Sequence, residues 1–584
     1  MKQDYLKKLY EPNYHYCTRT YGSNTSVEHR LGSFDAQKEW KKEKEACAKF
    51  LNTKAYKSFI KDDYVILIGR TGTGKTSILK RLQYDIESGT NKDYKYVIPI
   101  NFKPYLVELL KYGEINNTTQ GLSDLADNIH MMLDLEVIRM VYSKTDYTKQ
   151  NPSFANRIKK YLTDKKITER TNIFRKAIEE MAEIYKEKFA GNILSTISVL
   201  DNLKKRYINS EYDEILNDIY KYLSNNKVVI LVDTMDRYNI RESGVVIVIQ
   251  TLVEQAFEYY NNYESNNILV KIALPAELAS VFVYKLPEKK QQNAVVIEWK
   301  YKELINMLAI RFYYYCKYKS NNPILKPLTN GLKLDDFYDN YELSKKFMLN
   351  ILPEKCKTHM SLCFDTLAYC IRHTQKKPRQ LMKIFNIFID YVITQNDIKY
   401  FFTQQRMIGR CIHISQSDLI KDTVNMYGGL TNDRILQLCS RILLKKRFFI
   451  KKEDLMVEIK SALKEIPAKS LDDTRIDSDD FFEILKESGL IGKIHRERYV
   501  EPNNYFFENN KVLKILIALY EYQIKEKLPF QNEDICVLHP MCYEYYENEI
   551  DYNTLVYPAS VDDEEDLGDV GKYLIDVLFD EDDE

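Results

Sequence analysis

Between residues 61 and 300, short runs of apolar residues alternate with stretches in which apolar residues recur at helical spacing. Five short runs are rich in β-branched residues and do not alternate with polar positions, a pattern typical of parallel strands buried on both faces. They predict strands at residues 64–68, 96–102, 228–233, 268–274 and 294–299. With helices between them, these strands indicate a doubly wound, mostly parallel sheet, which is an α/β fold. Residues 105–225 carry helical periodicity and few strand signals, so we predict a helical insertion there.

Beyond residue 300 the apolar positions recur mainly at helical spacing. This spacing predicts a helical lid over residues 301–400 and a helical linker domain over 401–475. Helices followed by short strands then predict a winged-helix-like domain over 476–550. Residues 1–60 form a polar, aromatic N-terminal extension, and residues 551–584 form an acidic tail.

The winged-helix-like region carries several local predictions. We predict a helix over 476–487, turns at Gly489 and Gly492, short strands at Tyr499 and 505–507, a helix over 511–524 and a strand over 535–540. If this domain engages DNA, its candidate phosphate contacts are Lys493, Arg496 and Arg498.

The first predicted strand runs directly into the segment GRTGTGKTS, residues 69–77, which matches GxxxxGKT. Glycines let successive main-chain N–H groups point at phosphate oxygens, and the helix that follows adds its positive N-terminal dipole. In this pattern Lys75 reaches the β- and γ-phosphates, and the Thr76 hydroxyl holds Mg²⁺. The predicted nucleotide contacts are Gly69, Thr71, Gly72, Thr73, Gly74, Lys75, Thr76 and Ser77. We therefore predict a Walker A loop that binds a nucleotide. Adenine and guanine both stay open as its base, and the lack of a guanine-reading NKxD motif favours ATP over GTP.

A second carboxylate is needed to anchor the metal, and the strand at 228–233 ends in Asp233. Open α/β sheets place their ligands at the carboxyl ends of such strands. We therefore assign Asp233 to the Mg²⁺ site together with Thr76. Thr234 follows, and the next acid is Asp236, which we assign to positioning the attacking water. A helix N-cap is the alternative interpretation of Asp236.

One arginine stands where it is unfavourable for its own helix. Pro378 predicts the start of a helix, which puts Arg379 in the first turn. A cation there opposes the helix dipole, so a bound anion such as a γ-phosphate would compensate.

Composition and charge restrict the class of protein. Hydrophobic residues make up 45% of the 584 residues and charged residues 29%, as in a soluble globular protein. We find no apolar stretch of about 20 residues that would span a bilayer and no signal-peptide core, so we expect a cytoplasmic protein without a membrane partner. The net charge of +0 hides an asymmetry, because residues 562–584 hold 12 acids and one lysine. This tail is either a solvated terminus or a cover for a basic surface that competes with nucleic acid.

The cysteines and histidines give no sign of a metal or redox centre. The ten cysteines contain no CxxC pair, so we interpret them as reduced residues of the core. The histidines with no ligand-like spacing are His359, His373, His413, His495 and His539.

Several motifs together carry a resemblance to a known family. They are GxxxxGKT, the DTMD of residues 233–236, Arg311 after the strand that runs into Trp299, the RHTQKKPR of residues 372–379, and the LHP of residues 538–540. Over roughly residues 60–545 the chain resembles bacterial P-loop ATPases related to the STAND and KAP branches of the AAA+-like proteins.

The resemblance implies an anti-phage defence ATPase whose nucleotide-dependent oligomerisation controls a separate effector. It implies a sensor-2-type role for Arg379 and a sensor or intersubunit-finger role for Arg311, which join Lys75 and Asp236 as candidate catalytic residues. The family's Walker B usually continues with an acid after hhhhDxxD, and this chain has Arg237 there, so we expect slow hydrolysis.

Two functions of different classes follow from these residues. The first is an ATP-driven switch with Mg²⁺ as cofactor, a homo-oligomeric state and a protein effector as partner. The alternative is a DNA-engaging initiator or loader ATPase with a winged helix, for which nucleic acid is the partner.

Overall fold

The computed structural model describes residues 30–102, 104–106, 119–189, 196–234, 243–276, 288–357, 363–404, 407–424, 434–468, 475–500, 513–523, 528–543, 545, 546, 548 and 554–559. The chain divides into two compact units. One spans Lys54–Ile297, and the other combines Met1–Thr53 with Glu298–Glu584. The unit Lys54–Ile297 contains the strands predicted between residues 61 and 300. It begins seven residues before residue 61, because the helix Lys54–Phe59 belongs to it.

The unit Lys54–Ile297 is built on a five-stranded sheet. Its strands are β1 (Ile66–Gly69), β2 (Tyr96–Asn101), β3 (Val228–Asp233), β4 (Ile268–Pro275) and β5 (Ala294–Val296). The order is β2-β3-β4-β1-β5, and every pair is parallel. The predicted α/β core with a parallel sheet is thereby confirmed. Strands β1 and β4 are buried along their whole length, which explains why their sequences are apolar without alternation.

Helices account for most of the remainder of this unit. They are Lys54–Phe59, Lys75–Glu87, Thr119–Lys144, Tyr147–Gln150, Pro152–Asp164, Ile173–Phe189, Thr196–Tyr207, Ser210–Leu223, Ser243–Asn261, Tyr263–Asn266 and Glu288–Gln291. Those between β2 and β3 fall within the predicted insertion at 105–225. They share one apolar core with the sheet, to which Ile129 and Ile215 contribute alongside Ile98 and Ile230.

The second unit is mainly helical up to residue 487. Its α-helices are Ala36–Glu39, Glu43–Ala48, Tyr301–Tyr314, Tyr341–Met348, Thr366–Arg372, Pro378–Gln395, Tyr400–Thr403, Met407–Val424, Arg434–Leu443, Lys452–Glu465 and Ser478–Glu487. Short 3₁₀ turns lie at Trp40–Lys42, Lys326–Thr329, Leu334–Phe337, Glu521–Gln523 and Pro540–Cys542, with a π turn at Tyr315–Lys319. Strands β6 (Lys355–Lys357) and β7 (Cys363–Asp365) form a small antiparallel pair.

A second five-stranded sheet closes this unit. Its strands are β8 (Phe449–Lys451), β9 (Ile491–Val500), β10 (Leu513–Leu519), β11 (Ile535–Leu538) and β12 (Thr554–Ala559). The order is β12-β10-β9-β11-β8, with β9 and β10 antiparallel and β10 and β12 parallel. The helix predicted over 476–487 is present as Ser478–Glu487. The strand predicted over 535–540 is β11, and the predicted strand at 505–507 lies outside the described residues.

Two local predictions for this region are wrong. The helix expected over 511–524 is strand β10 followed by the turn Glu521–Gln523. Strand β10 lies between two apolar cores, since Ile515 and Ile517 pack into one, and Leu516 and Ala518 into the other. A run that is apolar on both faces has no period to distinguish a strand from a buried helix.

The second wrong prediction is the turn at Gly492, which lies inside β9. A Cβ at Gly492 would lie 2.5 Å from the Leu519 carbonyl oxygen and 2.7 Å from the Tyr520 ring. The glycine therefore permits close approach between strands rather than a turn. Gly489, by contrast, does lie in a turn, with φ of 70°.

None of the helices in the described ranges has both the length and the apolar character needed to cross a bilayer. Part of the tail predicted over residues 551–584 belongs to the second sheet, since residues 554–559 form strand β12. Residues 560–584, which hold its acidic run, lie outside the described residues.

Candidate functional site

The loop of residues 69–77 connects β1 to the helix Lys75–Glu87. Two hydrogen bonds to the Arg70 carbonyl oxygen close a turn in this loop. Thr73 donates both, from its N–H at 3.2 Å and from its hydroxyl at 2.7 Å. Gly72 and Gly74 adopt φ of 87° and 106°, a region that side-chain-bearing residues rarely occupy. Gly72 and Gly74, the second glycine of GxxxxGKT, therefore occupy positions whose backbone conformation favours glycine.

Gly69 has a different constraint, which is space. A Cβ there would lie 2.6 Å from Thr73 Oγ1 and 2.9 Å from Ile297 Cδ1. At Gly74 an added Cβ would meet nothing within 4 Å, so the constraint there is the backbone conformation alone. Gly74 also offers no side chain to cap the helix Lys75–Glu87, so the positive end of the helix dipole faces the loop.

Lys75 is folded back over this loop. Only 3% of its surface is exposed, and its ammonium donates to the carbonyl oxygens of Gly69 at 2.7 Å and Arg70 at 3.2 Å. The ammonium is therefore held against the main chain of the glycine-rich loop, where the GxxxxGKT pattern places the phosphates.

Thr76 and Asp233 meet at the carboxyl edge of the sheet. The Thr76 hydroxyl donates to Asp233 Oδ2 at 2.9 Å, although β4 separates β1 from β3 in the strand order. A hydroxyl and a carboxylate are hard oxygen ligands of the kind Mg²⁺ prefers, and Mg²⁺ usually completes its shell with waters and substrate phosphates. The two residues therefore fit the predicted metal. In the described ranges no group of three or more His, Cys, Asp or Glu could hold a metal ion.

Two threonines next to these residues differ in their hydrogen bonding. Thr71 Oγ1 is buried and has no hydrogen-bond partner among the described residues, so the loop holds a polar atom that lacks compensation. Thr234 is 1% exposed, and its hydroxyl donates to the Ala273 carbonyl oxygen at 2.5 Å. That hydroxyl is committed to the main chain. The position directly after Asp233 therefore offers no acid or base.

Asn101 is a residue that the sequence reasoning missed. It ends β2 and is in register with Asp233 on β3, so both stand at the carboxyl edge of the sheet. The available signal was an asparagine at the end of an apolar strand, beside the strand that carries Asp233, the predicted metal ligand. The predicted water-positioning residue Asp236 lies outside the described residues, as does Arg237.

The two predicted arginines lie in the other unit, and their surroundings differ. Arg311 is 13% exposed and pairs with Glu39, 2.8 Å from Nη1 to Oε1. It also donates to the Leu31 carbonyl oxygen, so its guanidinium is engaged inside its own unit. Arg379 is partly buried in the first turn of the helix Pro378–Gln395, as predicted from Pro378.

Arg379 has no hydrogen bond or ion pair with any described residue. It is therefore the more available of the two arginines for an anion. The structure brings Lys75, Thr76 and Asp233 together in one unit, and it places neither arginine in that unit.

The cations suggested for DNA contact lie on β9. Lys493 pairs with Asp534 at 2.7 Å and is thereby neutralised. Arg496 also lies on this strand, while nothing is described for the side chain of Arg498. This strand therefore presents less positive charge than its sequence indicates.

Most of the described cysteines are buried, whereas the described histidines range from buried, as His373 is, to exposed, as His495 is. Burial raises the pKa of Cys439 and of Cys536 to about 12 and so disfavours the thiolate. Burial and the neighbouring Arg372 lower the pKa of His373 to about 3, so this imidazole stays neutral.

No protein-family model matches this chain, and no curated protein matches it in sequence. The functional interpretation therefore depends on the geometry of the 69–77 loop. That geometry combines a glycine-rich turn, a buried lysine, a threonine and a carboxylate at the carboxyl edge of a parallel sheet.

Proposed function

We propose that this chain is a P-loop ATPase that binds Mg²⁺ and ATP in the 69–77 loop and hydrolyses ATP slowly. One observation carries the proposal, the 2.9 Å hydrogen bond between Thr76 and Asp233. The two oxygens come from segments 157 residues apart in sequence, and they meet beside a glycine-rich loop that contains a buried lysine. A structural turn needs no such convergence, whereas a metal–phosphate site does.

Each residue of the loop has a role in this proposal. Main-chain N–H groups of residues 71–76 would hold the phosphates, and Lys75 would leave its two carbonyl acceptors to reach the β- and γ-phosphates. Thr76 and Asp233 would share Mg²⁺. Asp236 would orient the attacking water, and Arg379 would respond to the γ-phosphate. Bound Mg²⁺ would neutralise charge that develops on the transferred phosphoryl group.

Slow hydrolysis follows from what stands beside Asp233. The Thr234 hydroxyl donates to the Ala273 carbonyl oxygen, and Arg237 follows Asp236. Neither position 234 nor position 237 therefore holds the second acid that related ATPases commonly have there. An ATPase with slow turnover spends long periods in the ATP-bound state, which suits a switch. We propose that this state drives homo-oligomerisation and controls a separate protein effector in a bacterial anti-phage defence system in the cytoplasm. This part rests on the resemblance to STAND- and KAP-like ATPases.

The switch is tested by measuring mass in solution. Size-exclusion chromatography with light scattering is run on the full chain without nucleotide, with ATP and with a non-hydrolysable ATP analogue. We expect a larger species with both triphosphates, and a longer-lived one with the analogue. A mass that is the same in all three conditions would contradict the switch while leaving nucleotide binding to be judged by calorimetry.

A DNA-engaging loader remains the second candidate, and one observation favours it. The helix Ser478–Glu487 leads directly into the antiparallel hairpin of β9 and β10, which is the arrangement of a helix and wing. The ion pair between Lys493 and Asp534 counts against it, because a wing that binds phosphates needs cations that are not neutralised. Repeating the mass measurement with duplex DNA separates the two functions, since a loader would form a DNA complex that depends on ATP.

A further inference from the structure

The second unit contains a polar cleft of about 620 Å³ that the proposed function does not use. It lies between the segment of residues 30–49, the segment of residues 311–322 and Ile393. Its cationic lining residues are Arg30, Lys38, Lys42, Lys49, Arg311 and Lys319. We call this site the cationic cleft.

The carboxylates in the cationic cleft are already neutralised. Glu39 pairs with Arg311 at 2.8 Å and with Lys49 at 2.9 Å, while Glu45 pairs with Lys319 at 2.7 Å and with Lys49 at 3.3 Å. Burial disfavours the Glu39 carboxylate, but the attraction of Arg311 and Lys49 outweighs burial and lowers its pKa. Both acids are therefore ionised and engaged at neutral pH.

Cations remain in excess after this pairing. The six cations face three carboxylates, Glu39, Glu45 and the Arg30 partner Asp390, which leaves a surplus of three positive charges. Lys38 and Lys42 are exposed and have no ion pair with any described residue. Arg311 Nε is buried without a hydrogen-bond partner in the described part of the chain. A surplus of cations around one cleft, two of them exposed and unpaired among the described residues, favours an anionic ligand.

The remaining walls offer donors and aromatic faces. Asn322 Oδ1 already accepts the N–H groups of Ile324 at 2.8 Å and Leu325 at 3.3 Å, so the amide NH₂ is the part left for a ligand. Tyr314 and Tyr315 line the same cavity, where they form cation–π contacts with Lys49 and Arg30. A volume of about 620 Å³ is in the usual range for small-molecule sites and is far larger than one phosphate ion requires.

We propose that the cationic cleft binds a phosphate-bearing small molecule with at least two negative charges. Lys38 and Lys42 contact its phosphates from the solvent side, and the Arg311 guanidinium, which also pairs with Glu39, adds positive charge to the same cleft. The tyrosines accommodate the organic part. This site is independent of the 69–77 loop, because all of its lining residues belong to the second unit.

The test is calorimetric titration of the full chain with inorganic pyrophosphate and, separately, with AMP. The decisive variant is Lys38→Gln with Lys42→Gln, because both side chains are exposed and neither supports the fold. The matched control is Lys41→Gln with Lys44→Gln, which removes the same charge from two exposed lysines of the same segment outside the cleft. Every titration is repeated in the Lys75→Ala background, so that binding to the cationic cleft is measured without binding at the 69–77 loop.

We expect the Lys38/Lys42 variant to lose about tenfold in affinity for at least one probe, while the control pair changes by less than about twofold. This loss should persist in the Lys75→Ala background. Tighter binding of AMP would assign a nucleoside phosphate to the cleft, and tighter binding of pyrophosphate a polyphosphate; both support the site. Equal losses in the two lysine pairs would overturn it, and so would binding that vanishes entirely with Lys75→Ala. The latter result would leave the proposed ATP site intact.

Discussion

At the scale of single residues, the proposed ATP site depends on the pairing of Thr76 with Asp233. The hydrogen bond of 2.9 Å holds side by side the two oxygens that are proposed to bind Mg²⁺. In that site the Thr76 hydroxyl would coordinate Mg²⁺ through an oxygen lone pair while its proton is directed at the Asp233 carboxylate. The carboxylate would thus both orient Thr76 and supply negative charge.

Asp233→Asn tests this pair directly. The amide keeps the shape of the side chain but removes the charge, so the Mg²⁺-dependent part of ATP affinity should fall about 10- to 100-fold. Affinity measured in EDTA should be nearly unchanged. Asp93→Asn is the matched control, because it makes the same chemical change at an exposed position away from the site. An Asp233→Asn chain that still gains affinity from Mg²⁺ as wild type does would refute the metal role.

At the scale of elements, Lys271 links a helix to the sheet. It lies fully buried in the middle of β4, and its Nζ lies within hydrogen-bond distance of the carbonyl oxygens of Phe59 at 2.9 Å, Lys61 at 2.7 Å and Tyr64 at 2.6 Å. These carbonyls follow the helix Lys54–Phe59 and lead into β1. The lysine therefore satisfies acceptors at the C-terminal end of a helix in place of a glycine cap.

The pH dependence of stability should reveal this lysine. Burial lowers the pKa of Lys271 to about 7, below its ordinary value of 10.5. Between these values the unfolded chain binds more protons than the folded chain, so the stability contributed by Lys271 rises with pH and is lost as pH falls towards 7. From pH 7.5 to 9.5, wild type should gain about 2 kcal/mol relative to Lys271→Met in urea unfolding. Parallel stability curves for the two chains would contradict this assignment.

The helix Pro378–Gln395 carries the second element-scale prediction. Arg379 lies in its first turn with no described ion-pair partner, a position that is unfavourable for a cation unless an anion binds. Arg379→Ala should reduce the difference in protease protection between the ATP and ADP states and leave ADP affinity within about twofold. Lys376→Ala, just before the same helix, is the control. Undiminished ATP-specific protection would show that Arg379 does not sense the γ-phosphate.

The elements that the sequence could predict are those with a local signature. Strand β3 was bounded correctly from its β-branched run, because a buried parallel strand is apolar at successive positions. The glycine-rich turn before the helix Lys75–Glu87 was also predictable, because Gly72 and Gly74 adopt positive φ. Strand β10 could not be told from a helix, because its two apolar faces are explained only by the two cores around it. The ion pair of Arg311 could not be predicted either, since its partner Glu39 lies 272 residues away in the sequence.

At the scale of the whole molecule, two compact units divide the candidate chemistry between them. The unit Lys54–Ile297 holds the 69–77 loop and Asp233, while the other holds Arg379, the cationic cleft and the second sheet. In the proposed function the first unit binds nucleotide and the second converts the bound state into assembly. This division explains why the sensor arginine is expected to matter for assembly rather than for binding.

The most direct test of the central claim is calorimetry of ATP binding in the presence of Mg²⁺. Wild type is compared with Lys75→Ala and with Lys80→Ala, a lysine further along the same helix. Circular dichroism confirms that all three chains are folded. We expect Lys75→Ala to abolish binding and Lys80→Ala to bind ATP within about twofold of wild type, because Lys75 and not Lys80 contacts the loop carbonyls. A folded Lys75→Ala chain that binds ATP as tightly as wild type would contradict the ATP site.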